Sequence, residues 1–370
     1  MFKHQQQHDS TVSSPKSSHF EKLSNVKLDD VGGLEVCKQL LKEAAIWPVK
    51  YSKFFTGNRK PLRTVLLFGP PGSGKTLLAK AIAAEANSYF SRISPSDIVS
   101  EWMGKSEQHV KDLFKEAREK APSIIFIDEI DCLCGPRGEN NENEASRRIK
   151  SELLVHMQDV EDGEFKVEKH VLILAATNTP YALDQALRRR FDMRIYIPLP
   201  DYEARKRIFE VQIGETPNSI AKEELKHLAK DTEGFSGSDI SYYVKDALYQ
   251  SIRSTLEKLE KDGQNSKIQV PNVTIDHFKD VEKKHKRTVT EADLNLLEKF
   301  HNEFGSTLSN SNGTGQSDPG NPELDRNVER RWFLYLFFIF IIIFLSNRYP
   351  YVIHMLVVFF LFLSIFVFRS

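Results

Sequence analysis

The sequence predicts an α/β fold: a doubly wound parallel sheet, then a smaller helical lid domain, then an apolar C-terminal hairpin. Three observations carry this. Short apolar runs at residues 65–68, 124–127, 171–175 and 195–197 are bounded by turn residues and do not alternate with polar ones. That is the pattern of parallel strands covered on both faces, and the helix-length stretches between them make a β-α-β series. From residue 201 the apolar positions recur at helical spacing, at 204–213, 220–229 and 240–256. From residue 332 to residue 368 the chain is apolar except for one short polar break and a single histidine.

In chain order, residues 1–24 are rich in Gln, His and Ser and read as a disordered polar tail with no secretory leader. Residues 25–200 form the α/β domain and 201–306 the helical one, which closes on Thr290-x-x-Asp293, a capping signal ahead of Leu294, Leu297 and Phe300. Residues 307–328 are a Ser-, Gly- and Asn-rich linker. In 329–370, the runs 332–346 and 351–368 flank a polar break at Asn347-Arg348-Tyr349-Pro350. As helices they would span roughly 22 Å and 27 Å, against a hydrocarbon core of about 30 Å. With Arg330, Arg331 and Arg369 at its ends, this segment reads as a short or re-entrant membrane hairpin whose two ends face the cytosol.

The 370 residues are 40% hydrophobic and 28% charged, enough for one or two domains with a core. Basic and acidic residues balance at 51 each, which argues against nucleic acid as a partner. The three cysteines include Cys132-x-Cys134, which lacks a second ligand pair at zinc spacing, so reduced thiols are expected.

Gly69-Pro70-Pro71-Gly72-Ser73-Gly74-Lys75-Thr76 fits the phosphate-binding pattern G-x-x-x-x-G-K-[ST]. It follows an apolar run and precedes a helix-forming stretch at 77–86. Glycines let backbone N–H groups close on phosphate oxygens, and the helix start adds partial positive charge. The pattern assigns Lys75 to the β- and γ-phosphates and Thr76 to Mg²⁺, with Pro71, Gly72, Ser73, Gly74 and Leu77 around the nucleotide. ATP and Mg²⁺ are therefore the expected cofactors.

The run 124–127 ends in Asp128-Glu129. A carboxylate at a strand tip suits Mg²⁺, and the next one can polarise the attacking water; the bland alternative for Glu129 is a solvated helix-capping acid. The run 171–175 leads to Asn178, which either orients that water or simply forms the turn before Thr179-Pro180. Arg188-Arg189-Arg190 is either a surface charge run or a set of arginine fingers completing a neighbour's site, which requires a ring.

Taken together, residues 26–306 resemble the meiotic clade of AAA ATPases, and within it the vacuolar-protein-sorting branch that disassembles ESCRT filaments. The resemblance is carried by Asp29-Asp30-Val31-Gly32-Gly33-Leu34, Gly57-Asn58-Arg59-Lys60-Pro61 and Glu144-Ala145-Ser146-Arg147-Arg148-Ile149-Lys150. Further matches are Arg188-Arg189-Arg190-Phe191, Ile195-Tyr196-Ile197-Pro198-Leu199-Pro200, Gly234-Phe235-Ser236-Gly237-Ser238-Asp239-Ile240 and the helix from Leu297 to Gly305. It implies a homo-hexamer that threads protein through a central pore. Trp102, Met103 and Gly104 match the first pore loop, although without the family Trp102 reads equally well as a buried residue. Gly138 and Glu139 match the second pore loop. Asp30, Val31, Gly32, Gly237 and Ser238 match the adenosine contacts, and Arg188 and Arg189 the fingers, with Arg190 unassigned.

Three departures follow from the same comparison. The branch's N-terminal helical module is expected to be missing, its small-domain β-hairpin insertion reduced to about residues 261–270, and an apolar tail added. The expected setting is a cytosolic ATPase domain held at an endosomal or other endomembrane by residues 329–370. Two rival functions share most of these motifs: a microtubule-severing ATPase, which would favour a basic linker, and a non-hydrolysing nucleotide-binding membrane scaffold. The scaffold would have lost Lys75, Glu129 or a finger arginine, and all are present.

Overall fold

The apolar runs become the centre of one six-stranded sheet in the computed structural model, which describes residues 19–24, 26–94, 106–133, 144–162, 166–262 and 270–306. The strands are β1 (Glu21–Lys22), β2 (Thr64–Phe68), β3 (Tyr89–Ile93), β4 (Ser123–Ile127), β5 (Val171–Thr177) and β6 (Met193–Tyr196), in the order β1-β3-β4-β5-β2-β6. Every pairing is parallel except β1 with β3, so the expected parallel sheet is in fact mixed, with an antiparallel edge.

Every residue of β2, β4 and β5 is buried, which explains the lack of alternation. Neighbours in β2 serve opposite faces: Val65 and Leu67 pack with Leu41, Leu78 and Ile82, whereas Leu66 packs with Phe114, Leu153 and Met157. The first face is covered by α1 (Glu35–Ala45) and α3 (Lys75–Glu85), with the short α2 (Trp47–Lys50) following α1. The second is covered by α4 (Ser106–Glu119) and α5 (Glu144–Asp162), ahead of the five-residue α6 (Gln185–Arg189).

Two strands escape the apolar-run reading. β3 contains Ser91 and Arg92, and it lies one place in from the sheet edge, between β1 and β4. β1 lies inside the expected polar tail, which is corrected for residues 19–24: Phe20 is buried in the second core face, and Glu21 pairs with Phe90. A polar strand that borrows its order from the sheet edge leaves no periodic signature.

The helical group is α7 (Tyr202–Ile213), α8 (Lys222–Asp231), α9 (Gly237–Asp262) and α10 (Ile275–Glu282). Its core is an aromatic trio, Phe209, Tyr243 and Phe278, in edge-to-face contacts with centroids 5.5–6.3 Å apart. The last helix, α11 (Glu291–Phe304), starts on the expected cap: the Thr290 hydroxyl accepts from the Asp293 N–H. It does not stay with the helical group. Phe300 packs on Phe68 of β2 at 5.0 Å and on Tyr181, and the Ser306 N–H donates to the Arg194 carbonyl. Residues 201–306 are therefore two pieces by packing, a helical core and a strap returned to the sheet.

The pore-loop assignments at Trp102, Met103, Gly104, Gly138 and Glu139 lie outside the described residues, as do most of the reduced insertion, the linker and the apolar hairpin. Among the described residues no helix is long and apolar enough to cross a membrane.

Candidate active site

In a parallel sheet the C-terminal ends of adjacent strands open on one crevice. Here β4, β5 and β2 are consecutive neighbours, and their register aligns Phe68 with Thr177 and Ile127 with Ala175. The three motifs that follow these strands are thereby brought to one edge.

The loop after β2 turns through Gly72 (φ 74°) and Gly74 (φ 94°), left-handed conformations that suit glycine. Gly72 also has no room for a side chain: a Cβ would lie 2.7 Å from Ser236 Oγ and 2.8 Å from Ser238 Oγ. The Ser238 N–H donates to the Gly72 carbonyl at 3.2 Å, so the start of α9 sits directly on the phosphate loop.

Lys75 opens α3 and is buried. Its Nζ donates to the Gly69 carbonyl at 2.9 Å, the Pro70 carbonyl at 2.8 Å and Ser73 Oγ at 3.3 Å. Burial pushes its ammonium down to about 8, against the opposing pull of Asp128 and Asp131. The Thr76 hydroxyl donates to Asp128 Oδ2 at 3.1 Å.

Glu129 follows Asp128 with φ 51°, a left-handed backbone at a residue with a full side chain. Such a conformation costs on the order of 1–3 kcal/mol and clusters at functional sites. Its side chain is exposed toward the crevice mouth. Asn178 is held by its neighbours: Thr177 and Thr179 donate their hydroxyls to Asp131 Oδ1 and Oδ2 at 2.7 Å and 2.8 Å. Asp131 had no place in the motif reading, because only the fold carries it from the β4 loop to the β5 tip.

The phosphate loop, Asp128, Glu129 and Asn178 line a cavity of about 720 Å³. Asp30, Val31, Gly32, Pro71, Gly72, Ser73, Gly74, Lys75, Thr76, Leu77, Asp128, Glu129, Asn178, Gly237 and Ser238 all border it. Sequence reading did not assign its apolar wall, which includes Val26, Ile208 and Val211, outside any quoted motif, and Leu34 and Pro198, inside motifs but given no site role. A Cβ on Gly32 would meet the Ala204 carbonyl at 2.8 Å, so the 30–32 turn lies against α7.

The chemistry of this donor set fits a magnesium nucleotide. An apolar wall suits a flat base, a lysine and a glycine loop suit phosphates, and a hydroxyl beside a carboxylate suits a hard cation. Arg188 and Arg189 do not border this cavity. Arg189 is exposed, and the Arg188 guanidinium lies over the Phe304 ring at 5.1 Å with its Nε buried and unpaired. Arg190 donates to Gln158 Oε1 at 2.9 Å, so it is engaged within the chain.

Asp131→Ala should release both threonines and let Asn178 drift. The expected result is a kcat lower by about tenfold or more, with KM for ATP changed less, as when a positioned group shifts by about 1 Å. Steady-state phosphate release measures both.

Comparisons with known proteins agree with this geometry. Residues 65–199 match the family model described as the ATPase family associated with various cellular activities (AAA), and residues 250–305 the Vps4 C terminal oligomerisation domain. The protein SUPPRESSOR OF K(+) TRANSPORT GROWTH DEFECT 1 of Arabidopsis thaliana is 50% identical over 309 residues, covering 76% of this chain and 70% of that protein. Vacuolar protein sorting-associated protein 4B of Mus musculus is 56% identical over 233 residues, 62% of this chain and 51% of that one, so the chain spans about half its length. The crystal structure of the FIGL-1 AAA domain superposes with a TM-score of 0.69 at 35% identity, covering 79% of this chain and 94% of that one. The C-terminal match supports oligomeric assembly. With its phosphate loop, paired acids and polar strand tip gathered at one sheet edge, this chain belongs to the AAA family of ATPases.

Proposed function

We propose that the chain is a magnesium-dependent ATPase that assembles as a hexameric ring and uses hydrolysis to take ESCRT-type filaments apart in endosomal or vacuolar sorting. The observation that carries the chemistry is the convergence of Lys75, Thr76, Asp128, Glu129 and Asn178 on one crevice roofed by the helical group. The sorting role rests on the likeness to relatives named for vacuolar protein sorting at 53–56% identity.

In this reading Lys75 leaves the loop carbonyls for the β- and γ-phosphates, and Thr76 with Asp128 holds the metal. Bound Mg²⁺ supplies charge neutralisation at the phosphates. Glu129 accepts the proton of the attacking water, and Asn178, fixed through Asp131, orients that water. Arg188 and Arg189 serve the neighbouring protomer, in keeping with their place away from this chain's own cavity. Cleavage can then be felt by the helical group, because Ser238 is hydrogen-bonded to the phosphate loop itself. Trp102, Met103 and Gly104 would grip substrate in the pore, and residues 329–370 would hold the ring at a membrane.

The test is sedimentation of preassembled ESCRT-type filaments with the chain, ATP and Mg²⁺. Filament loss that depends on ATP is expected. ATP turnover with filaments intact would refute the filament role and leave the ATPase standing. For the tail, carbonate extraction of membranes should leave the full chain in the pellet and release a version ending at residue 328.

A further inference from the structure

Strand β3 carries one charged side chain that no motif singles out. Arg92 is the fourth of its five residues and pairs in register with Phe126 of β4. Side chains two apart along a strand share a face. Arg92 therefore emerges on the side of the sheet where Asp128, two residues beyond Phe126, also emerges. The Asp128 N–H donates to the Ile93 carbonyl at 2.9 Å, which keeps the two strand tips level.

The consequence is an ion pair inside the metal site. Arg92 Nη2 lies 2.9 Å, and Nε 3.2 Å, from Asp128 Oδ2. That same oxygen accepts the Thr76 hydroxyl at 3.1 Å. One carboxylate oxygen is thus shared between a guanidinium and the hydroxyl that the phosphate loop offers a cation. The pair is asymmetric in exposure: the Asp128 side chain is 13% exposed and the Arg92 side chain 54%. Solvent is open to the guanidinium, so it can swing away while the carboxylate stays in place.

We infer that Arg92 is a positioning residue that competes with Mg²⁺ for Asp128, so that metal entry displaces the guanidinium and Arg92 sets the Mg²⁺ concentration the site requires. This rests on the nucleotide-site reading above. Two cations drawn to one carboxylate oxygen repel each other, and that repulsion is strengthened where the carboxylate is shielded from water. Deleting Arg92 removes both the competitor and the repulsion, so each effect raises Mg²⁺ affinity. The arginine is half exposed, and exposed pairs are weakly coupled, so the change is modest, about two- to fivefold. In the absence of metal the guanidinium keeps the carboxylate paired, and on metal loss it offers a ready replacement.

The experiment titrates MgCl₂ into the full chain with a fluorescent ADP analogue and reads the midpoint of magnesium-dependent binding. Arg92→Ala and Arg92→Gln should each lower that midpoint about two- to fivefold. Gln keeps a donor without the charge, so it separates competition for charge from simple hydrogen bonding and serves should the alanine variant fold poorly. Added KCl should narrow the difference from wild type. In an Asp128→Asn background the effect of removing Arg92 should shrink toward zero, a coupling that a purely structural Arg92 would not show. An unchanged or raised midpoint in the variants, with wild type still responding to Mg²⁺, overturns the inference alone. A wild-type protein that binds the analogue identically with and without Mg²⁺ overturns the metal-site reading and this inference with it, and one that does not bind the analogue at all overturns the nucleotide-site reading.

Discussion

Glu129→Gln should lower kcat for ATP hydrolysis by about 100-fold or more while nucleotide affinity stays within about twofold of wild type, the range for loss of a general base. The substitution keeps the shape and removes only the proton acceptor. Glu129 makes no contact needed by the core, since its side chain is exposed beside the cavity. Its backbone, φ 51°, leads into the fully buried Ile130, and glutamine meets that left-handed conformation with the same side-chain shape. Phosphate release together with binding of a fluorescent nucleotide checks both halves. Equal turnover by wild type and variant would remove Glu129 from the chemistry.

Lys75→Ala should weaken ATP binding by about 10- to 150-fold, from about 1.5–3 kcal/mol for hydrogen bonds to a charged partner. The wild type should show a pH dependence that the variant lacks. Burial lowers the Lys75 ammonium to about 8 without nucleotide. A bound polyphosphate favours the charged form, so binding takes up a proton once the free site has lost it. Affinity should be level below pH 8 and fall by up to about tenfold per unit above it.

Stability moves the opposite way. The folded value lies below the unfolded one, so burying the charged ammonium opposes folding at neutral pH, and that penalty fades as pH rises from about 8 toward 10.5. Lys75→Ala should thus melt no lower than wild type at pH 7. Isothermal titration across pH and thermal denaturation test the two claims. A wild-type affinity that does not change between pH 7 and pH 9.5 would rule out the linkage.

How much of this was legible beforehand can be judged from particular residues. The phosphate loop, Asp128, Glu129 and the Thr290 cap were readable because each is a local pattern: a turn that requires glycine, acids at the end of an apolar run, a hydroxyl three residues before an acid. Asn178 was readable only as one of two alternatives, and the tertiary structure adds that Asp131 grips the threonines on either side of it. Asp131 and Arg92 were not readable at all. Each acts on a group dozens of residues away, 46 positions for Asp131 to Thr177 and 36 for Arg92 to Asp128.

The sequence by itself determined that this chain carries a phosphate-binding loop between strand and helix, with a candidate metal-binding acid at Asp128, a candidate base at Glu129 and a candidate water-orienting amide at Asn178 downstream. Those features depend on chemistry within a few neighbouring residues. Tertiary structure decided the rest: that β4, β5 and β2 stand side by side so their tips share one crevice, that β1 closes the sheet antiparallel, and that α11 leaves the helical group for Phe68. It also decided that an arginine from β3 reaches the metal-site carboxylate. The reason is physical: strand order and side-chain contact depend on which buried surfaces fit together across the whole chain, and no local window of residues contains that information.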